Sequence, residues 1–189
     1  MKKQILLILT LFLNLSINNI QAQENELLSF VVYGESFTVG VALPNTWIVD
    51  MDYAARVGVN GIFFQRNNPS LAVIILGIVN KPENNSNLDE WIQYDTNAFL
   101  EYYRDFRLTK LDWSISSIYN YRMEIYMFEN TRTGQIQYCV YFDPSLQYFA
   151  KLYITLTTNN DIINERLVED FKRCLINTRF TGIGIRIEN

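Results

Sequence analysis

Residues 71–79 read LAVIILGIV, nine positions without one charged or strongly polar side chain. A strand sends successive side chains to opposite faces, so a run like this has to be covered on both. It belongs in the middle of a sheet with packed layers above and below. The question for the rest of the chain is what supplies those layers.

Upstream, residues 27–33 read as a strand, and 36–43 as a second with Phe37, Val39, Val41 and Leu43 on one face. Gly34-Glu35 between them is a tight-turn signal, so the two should form an antiparallel hairpin. Pro44 has no N–H to give a ladder and ends the second strand. Asn45 then turns the chain, and Trp47 and Ile48 fold back on the sheet. Residues 50–60 allow a short helix, and 61–66 form the strand before the central one. Asn87 with Glu90 three residues later resembles a capping box, which predicts a helix over 88–106. Strands follow at 107–118, 121–130, 135–143 and 147–157, then a helix at 161–176 capped by Asn160. The tail 181–189 alternates isoleucine with polar residues or glycine, as an edge strand or a loose end would. Tight turns between strands mean a largely antiparallel sheet, and two long amphipathic helices must each bury a stripe on it. The predicted fold class is α+β: a mostly antiparallel sheet flanked by helices, an α/β/α sandwich.

Lys2 and Lys3, the apolar run 5–13 and Ile20-Gln21-Ala22 have the pattern of a secretory signal peptide cleaved after Ala22. The run is too short for a membrane span, so no transmembrane anchor is expected after cleavage. The expected location is exported, periplasmic or secreted. Residues 23–189 then form a single domain, a length that buries most of its unfolded surface. Losing Lys2 and Lys3 leaves 14 basic and 20 acidic residues, a charge near −6. An acidic chain without a basic stripe argues against nucleic acid and against charge-driven docking on anionic lipid.

The opening hairpin, the stretch Leu43-Pro44-Asn45-Thr46-Trp47 and this element order resemble the PsbP-like family. That family includes the photosystem extrinsic protein, a yeast nuclear Ran-binding relative and many exported bacterial proteins. The resemblance covers about residues 27–180 and implies an aromatic-rich strand, Leu-Pro-x-x-Trp, and a long sheet flanked by helices. It implies structural roles for Pro44 and Trp47: the proline ends a strand at the sheet's rim and the tryptophan plugs the end of the core. It carries over no catalytic residue, and it implies a protein that binds partners or assists assemblies.

The chain has no histidine. Ser-His-Asp and Cys-His nucleophile systems, histidine zinc sites and imidazole proton shuttles are therefore excluded. No P-loop, Gly-x-Ser-x-Gly elbow or dinucleotide fingerprint is present. No cofactor is implied. Carboxylates remain, and Asp95 stands out because it falls on the arc that Leu88, Trp91, Ile92, Ala98, Phe99, Tyr102, Tyr103 and Phe106 share on a helix. A carboxylate facing a sheet needs a partner, such as a tyrosine hydroxyl or an arginine. Otherwise it sits at the floor of a pocket, and Asp95, Trp91 and Tyr102 would contact a ligand there. Cys139 and Cys174 are the two cysteines. They can meet in a disulfide closing about 36 residues if the last helix covers the Cys139 face, or remain two buried thiols. Neither has a cationic neighbour that would make it a nucleophile.

These features point to an exported non-enzymatic binding or accessory domain with an unknown protein partner. The alternative is a carrier of a small hydrophobic ligand or lipid with a cavity between the sheet and the first long helix. A carboxylate-based hydrolase ranks last.

Overall fold

The computed structural model describes residues 27–33, 37–80, 87–143, 150–158 and 165–182. The expected signal peptide, the Gly34-Glu35 turn, Asn160 and residues 183–189 lie outside them. Among the described residues the chain is mixed α+β, with every strand pairing antiparallel. The strands are β1 (Leu27–Tyr33), β2 (Phe37–Pro44), β3 (Trp47–Val49), β4 (Gly61–Gln65), β5 (Ala72–Asn80), β6 (Phe106–Leu111), β7 (Arg122–Asn130), β8 (Ile136–Asp143), β9 (Ala150–Thr158) and β10 (Arg179–Gly182). The helices are α1 (Met51–Val57), α2 (Leu88–Tyr102) and α3 (Glu165–Asn177).

The strands divide into two sheets rather than the one expected. Seven run in the order β3-β4-β5-β9-β8-β7-β6, and three run β1-β2-β10. The corner between the sheets is the stretch that Pro44 interrupts. β2 ends at Pro44, Asn45 and Thr46 turn the chain, and β3 starts the larger sheet at Trp47. The central run of apolar residues is β5, an interior strand between β4 and β9. Ala72, Ile74 and Leu76 are buried on one face; Val73 and Ile75 are half-buried on the other, beside buried Gly77.

Each face has its own cover. On one, β5, β8 and β9 pack against β2, β10 and α3, with Val39, Val41, Leu43, Trp47, Phe63, Phe142, Ile154 and Phe171 at its centre. On the other, α2 lies over β7 and β8, where Leu88, Trp91 and Ile92 meet Phe128, Cys139 and Tyr141. Opposite faces of one sheet therefore carry separate cores, as the two-faced run at 71–79 demands.

Local signals account for both ends of α1 and the start of α2. Asp50 caps α1 by accepting from the Tyr53 N–H at 2.8 Å, and Gly58 closes it at φ 77°, a conformation glycine adopts without penalty. The capping box on α2 forms: Glu90 N donates to Asn87 Oδ1 at 2.9 Å, and Asn87 N donates to Glu90 Oε2 at 3.2 Å. The far end of α2 departs from expectation. The helix stops at Tyr102, and Phe106 opens β6 instead of closing the helix. Thr131 N donates to Asp105 O at 2.7 Å and Arg132 pairs with Asp105, so the β7–β8 turn holds this junction. β6 is also shorter than expected, because the chain leaves the sheet at Asp112 for an irregular stretch. There Ser114 sits at φ 50°, braced by its N–H donating to Asp112 Oδ1 at 2.8 Å.

Candidate functional site

The residues singled out on α2 are drawn into one cluster, apart from Tyr102. The Tyr141 hydroxyl, projecting from β8, donates to Asp95 Oδ2 at 2.6 Å. This is the tyrosine partner that a carboxylate on this helix called for. Asp95 itself lies at the flank of the buried stripe and is exposed, while Thr96 takes the inward position and donates its hydroxyl to Ile92 O at 2.7 Å. Trp91 meets Tyr141 edge-on with centroids 5.1 Å apart, and Tyr126 does so at 5.9 Å. Burial pushes the Tyr141 hydroxyl far above its usual pKa, with the neighbouring Cys139 and Asp95 acting in the same direction. Tyr141 therefore stays a neutral donor near neutral pH. Chemically the pair can orient α2 on the sheet.

Tyr102 points elsewhere. It is 79% exposed, and Tyr103 is 47% exposed. The expected arc does not hold along the helix: Asp95, Ala98, Tyr102 and Tyr103 are exposed, Phe106 belongs to β6, and Phe99 and Phe106 fill the space beneath the last turn. Phe99 lies 4.5 Å from Phe128 and 5.2 Å from Phe106, and the two tyrosines stack outward from it, each centroid 4.7 Å from its inner neighbour. The result is a ledge of rings running from the core to solvent.

Pro44 and Trp47 sit where structural roles put them. Trp47 is fully buried, and its Nε1 donates to Asp170 Oδ2 of α3 at 3.1 Å. Sequence reading did not find this bond. Asp170 lies on the inward stripe of α3 with Leu167, Phe171 and Cys174, and a carboxylate among apolar residues was the available signal. Burial holds the Asp170 pKa above the usual carboxylate range, against the Trp47 N–H and the Arg166 and Arg173 charges, which pull it down. The folded state thus grips this proton harder than the unfolded chain does. That contribution to stability is fully present below about pH 3.9, the unfolded value, and is lost as pH rises through the folded one. Asp170→Asn keeps an acceptor for Trp47 without the buried charge. Its stability relative to wild type is expected to improve as pH rises above about 4 and to level off once the folded-state pKa is passed, measured by denaturant titration at each pH. A gap that does not change with pH would contradict the assignment.

The two cysteines do not meet. Both are free and buried. Cys139 faces α2, whereas Cys174 on α3 belongs to the core on the opposite side of the sheet. The disulfide required the last helix to cover the Cys139 face, and it covers the other. Burial pushes the Cys174 thiol up to about 12 and the Cys139 thiol higher still, so neither is a nucleophile. A thiol-reactive dye should find no accessible thiol in folded protein and both in denaturant, with or without prior reduction.

Clefts open on the surface among the described residues. One, of about 520 Å³, lies beside β3 and α1 and is lined by Ile48, Val49, Asp50, Met51, Asp52, Phe64 and Pro69. Another, of about 260 Å³, runs along β6 and β7 past Trp113 and Ser114. Near it, Lys110 and Glu124 pair at 2.6 Å, and Arg122 bridges Glu124 at 3.0 Å and Asp89 at 2.6 Å, tying β6, β7 and the start of α2 together. Among the described residues no three His, Cys, Asp or Glu side chains group so as to hold a metal ion, and no helix is long and apolar enough to cross a membrane. No family model matches the chain, and no curated protein is significantly similar to it.

Proposed function

We propose that this chain is an exported, non-enzymatic binding or accessory domain of PsbP-like architecture. The observation that carries this reading is the ledge of Tyr102 and Tyr103. Two exposed tyrosines stand on a rigid base of Phe99, Phe106 and Phe128. Tyrosine loses little side-chain freedom on contact and offers both an apolar ring and a hydroxyl, which is why it concentrates in protein interfaces. The polar groups that an enzyme reading would use are already committed. Tyr141 is engaged with Asp95, both thiols are sealed, and the chain lacks histidine. The rings packed between α2 and the sheet favour a surface binder over a carrier with its cavity in that layer.

A photo-crosslinking residue at Tyr102 in the producing cells should trap one discrete protein partner. The same residue at exposed Asp112, away from the ledge, should not. Identical products from both sites, or none from Tyr102, would remove the ledge as a contact surface. Asp95→Asn should leave the trapped species unchanged, because Asp95 acts within the fold.

A further inference from the structure

The seven-stranded sheet ends in β6, and no residue along that strand is buried. Arg107, Thr109 and Lys110 are exposed, and Leu108 is half-buried.

Hydrogen bonds at the strand's start show which backbone groups lie open. Thr131 N donates to Asp105 O at 2.7 Å, which makes these two a hydrogen-bonded pair. Such pairs alternate with non-bonded ones along an antiparallel ladder. In the β6–β7 register, Arg107, Thr109 and Leu111 then bond to Glu129, Met127 and Ile125. The next ladder agrees. Asn130 N donates to Gln135 O at 2.9 Å, so Asn130 and every second residue before it turn toward β8, and those between turn toward β6. Phe106, Leu108 and Lys110 therefore face away from the sheet. Phe106 N is given to Tyr103 O at 3.2 Å. Leu108 and Lys110 keep both their N–H and their C=O groups open.

Charged side chains on an edge ordinarily keep off a further strand. Here they are drawn back over the sheet, Lys110 onto Glu124 at 2.6 Å and Arg107 onto Glu129 at 2.5 Å, both on β7. The open side of the strand presents backbone.

This edge is complementary to itself. Two antiparallel copies can meet about an axis centred on Leu108, Thr109 or Lys110. Centred on Lys110, the axis sets two ammonium groups opposite each other. Centred on Leu108, it sets Lys110 against Phe106, whose N–H is already taken. Centred on Thr109, it sets Leu108 of each copy against Lys110 of the other, and every open N–H and C=O of these residues finds a partner. Arg107 then lies opposite Leu111, and Thr109 opposite its own counterpart, a cross-strand pairing that stabilises sheets.

We propose that two copies of this protein associate through β6, pairing antiparallel about Thr109 and joining their seven-stranded sheets. The stretch after Leu111 folds to the α3 side of the sheet, where Trp113 meets Tyr138 and Phe171. Tyr102 and Tyr103 stand on the α2 side with Phe99, so the pairing leaves the ledge free for a different partner.

So short a pairing makes a small interface, and small interfaces are weak. In sedimentation equilibrium the purified protein should pass from monomer to dimer between about 1 and about 500 µM. Thr109→Lys and Thr109→Glu should each stay monomeric over that range, because like charges then face each other at the axis, in a non-hydrogen-bonded pair where side chains lie closest. Mixed in equal amounts, the two variants should dimerise at least as well as wild type, which also shows that both are folded. Thr109→Cys should give a covalent dimer on mild oxidation, since the Cα atoms of such a pair lie about 4.5 Å apart, within disulfide reach. Arg107→Cys should not, and the buried Cys139 and Cys174 do not compete. The proposal is overturned by a monomer at every concentration, by a dimer that Thr109→Lys leaves intact, by a mixture that stays monomeric, or by Arg107→Cys crosslinking as readily as Thr109→Cys. A product of two copies has twice the mass of this chain and is told apart from a partner trapped at Tyr102, so either proposal can fail alone.

Discussion

Trp47→Ala is expected to lower folding stability by about 4 kcal/mol or more, enough to leave many domains this size partly unfolded at 25 °C. The side chain is fully buried where β3 begins, among the residues of β2, β4 and α3. Its removal leaves a cavity the size of an indole at the corner joining the two sheets. It also removes the N–H donor 3.1 Å from Asp170 Oδ2. An unpaired buried acceptor adds roughly 1–3 kcal/mol to a cavity's cost. Trp47→Phe separates the two parts: it restores much of the volume and leaves the acceptor unpaired. In the Asp170→Asn background the cost of Trp47→Phe should shrink, since an amide without its partner is cheaper to bury than a charge. Chemical denaturation of the four proteins gives the cycle. Equal and additive effects would show that the indole contributes by volume alone.

Gly77→Ala should cost about 2–3 kcal/mol, a large effect for one methyl group. Tyr153 of β9 lies opposite Gly77 of β5, and its ring rests on the glycine backbone. A Cβ at position 77 would fall 1.9 Å from Tyr153 Cζ and 2.2 Å from its hydroxyl oxygen. The ring would have to swing away, toward Tyr141, its other cross-strand neighbour. Glycine is needed here for close approach and not for an unusual backbone angle. The test is a double-mutant cycle with Tyr153→Ala. Alone, each change should destabilise; together they should cost less than the sum by about 1–2 kcal/mol. Strict additivity would mean that the ring tolerates the methyl by moving freely.

Position 77 also illustrates what the sequence conveys. LAVIILGIV announces a strand covered on both sides, and β5 occupies that place. Period-2 patterns and turn residues located nearly all the other strands, and Asn87 with Glu90 set the start of α2. These signals are local and need only neighbours along the chain. Signals without a local counterpart failed. No glycine or proline marks the end of α2, because the stop comes from Thr131 and Arg132 gripping Asp105 from a hairpin 26 residues away. The division into two sheets is invisible for the same reason, since β10 chooses the free edge of β2 across most of the chain. The cysteines show the limit clearly. Alternation gave each one a face, but which side α3 would cover depends on topology, and that decided against the disulfide. At the candidate site, periodicity placed Asp95 toward the sheet with a tyrosine or an arginine as partner, whereas Asp95 is exposed, Thr96 points inward and Tyr141 reaches Asp95 from β8; the β3 cleft exists only once α1 and the β4–β5 turn are folded.

The pairing of β10 with β2 brings Arg179 opposite Gly40 and Phe180 opposite Val39. The bond between Trp47 and Asp170 likewise joins positions 123 residues apart. A nascent chain therefore holds the early partners of both contacts with nothing to close on until more than 120 further residues have been made. Completion is postponed until α3 and β10 have left the ribosome, and contacts so distant along the chain form slowly. Shortening the chain before β10 should leave a species stalled short of the native state.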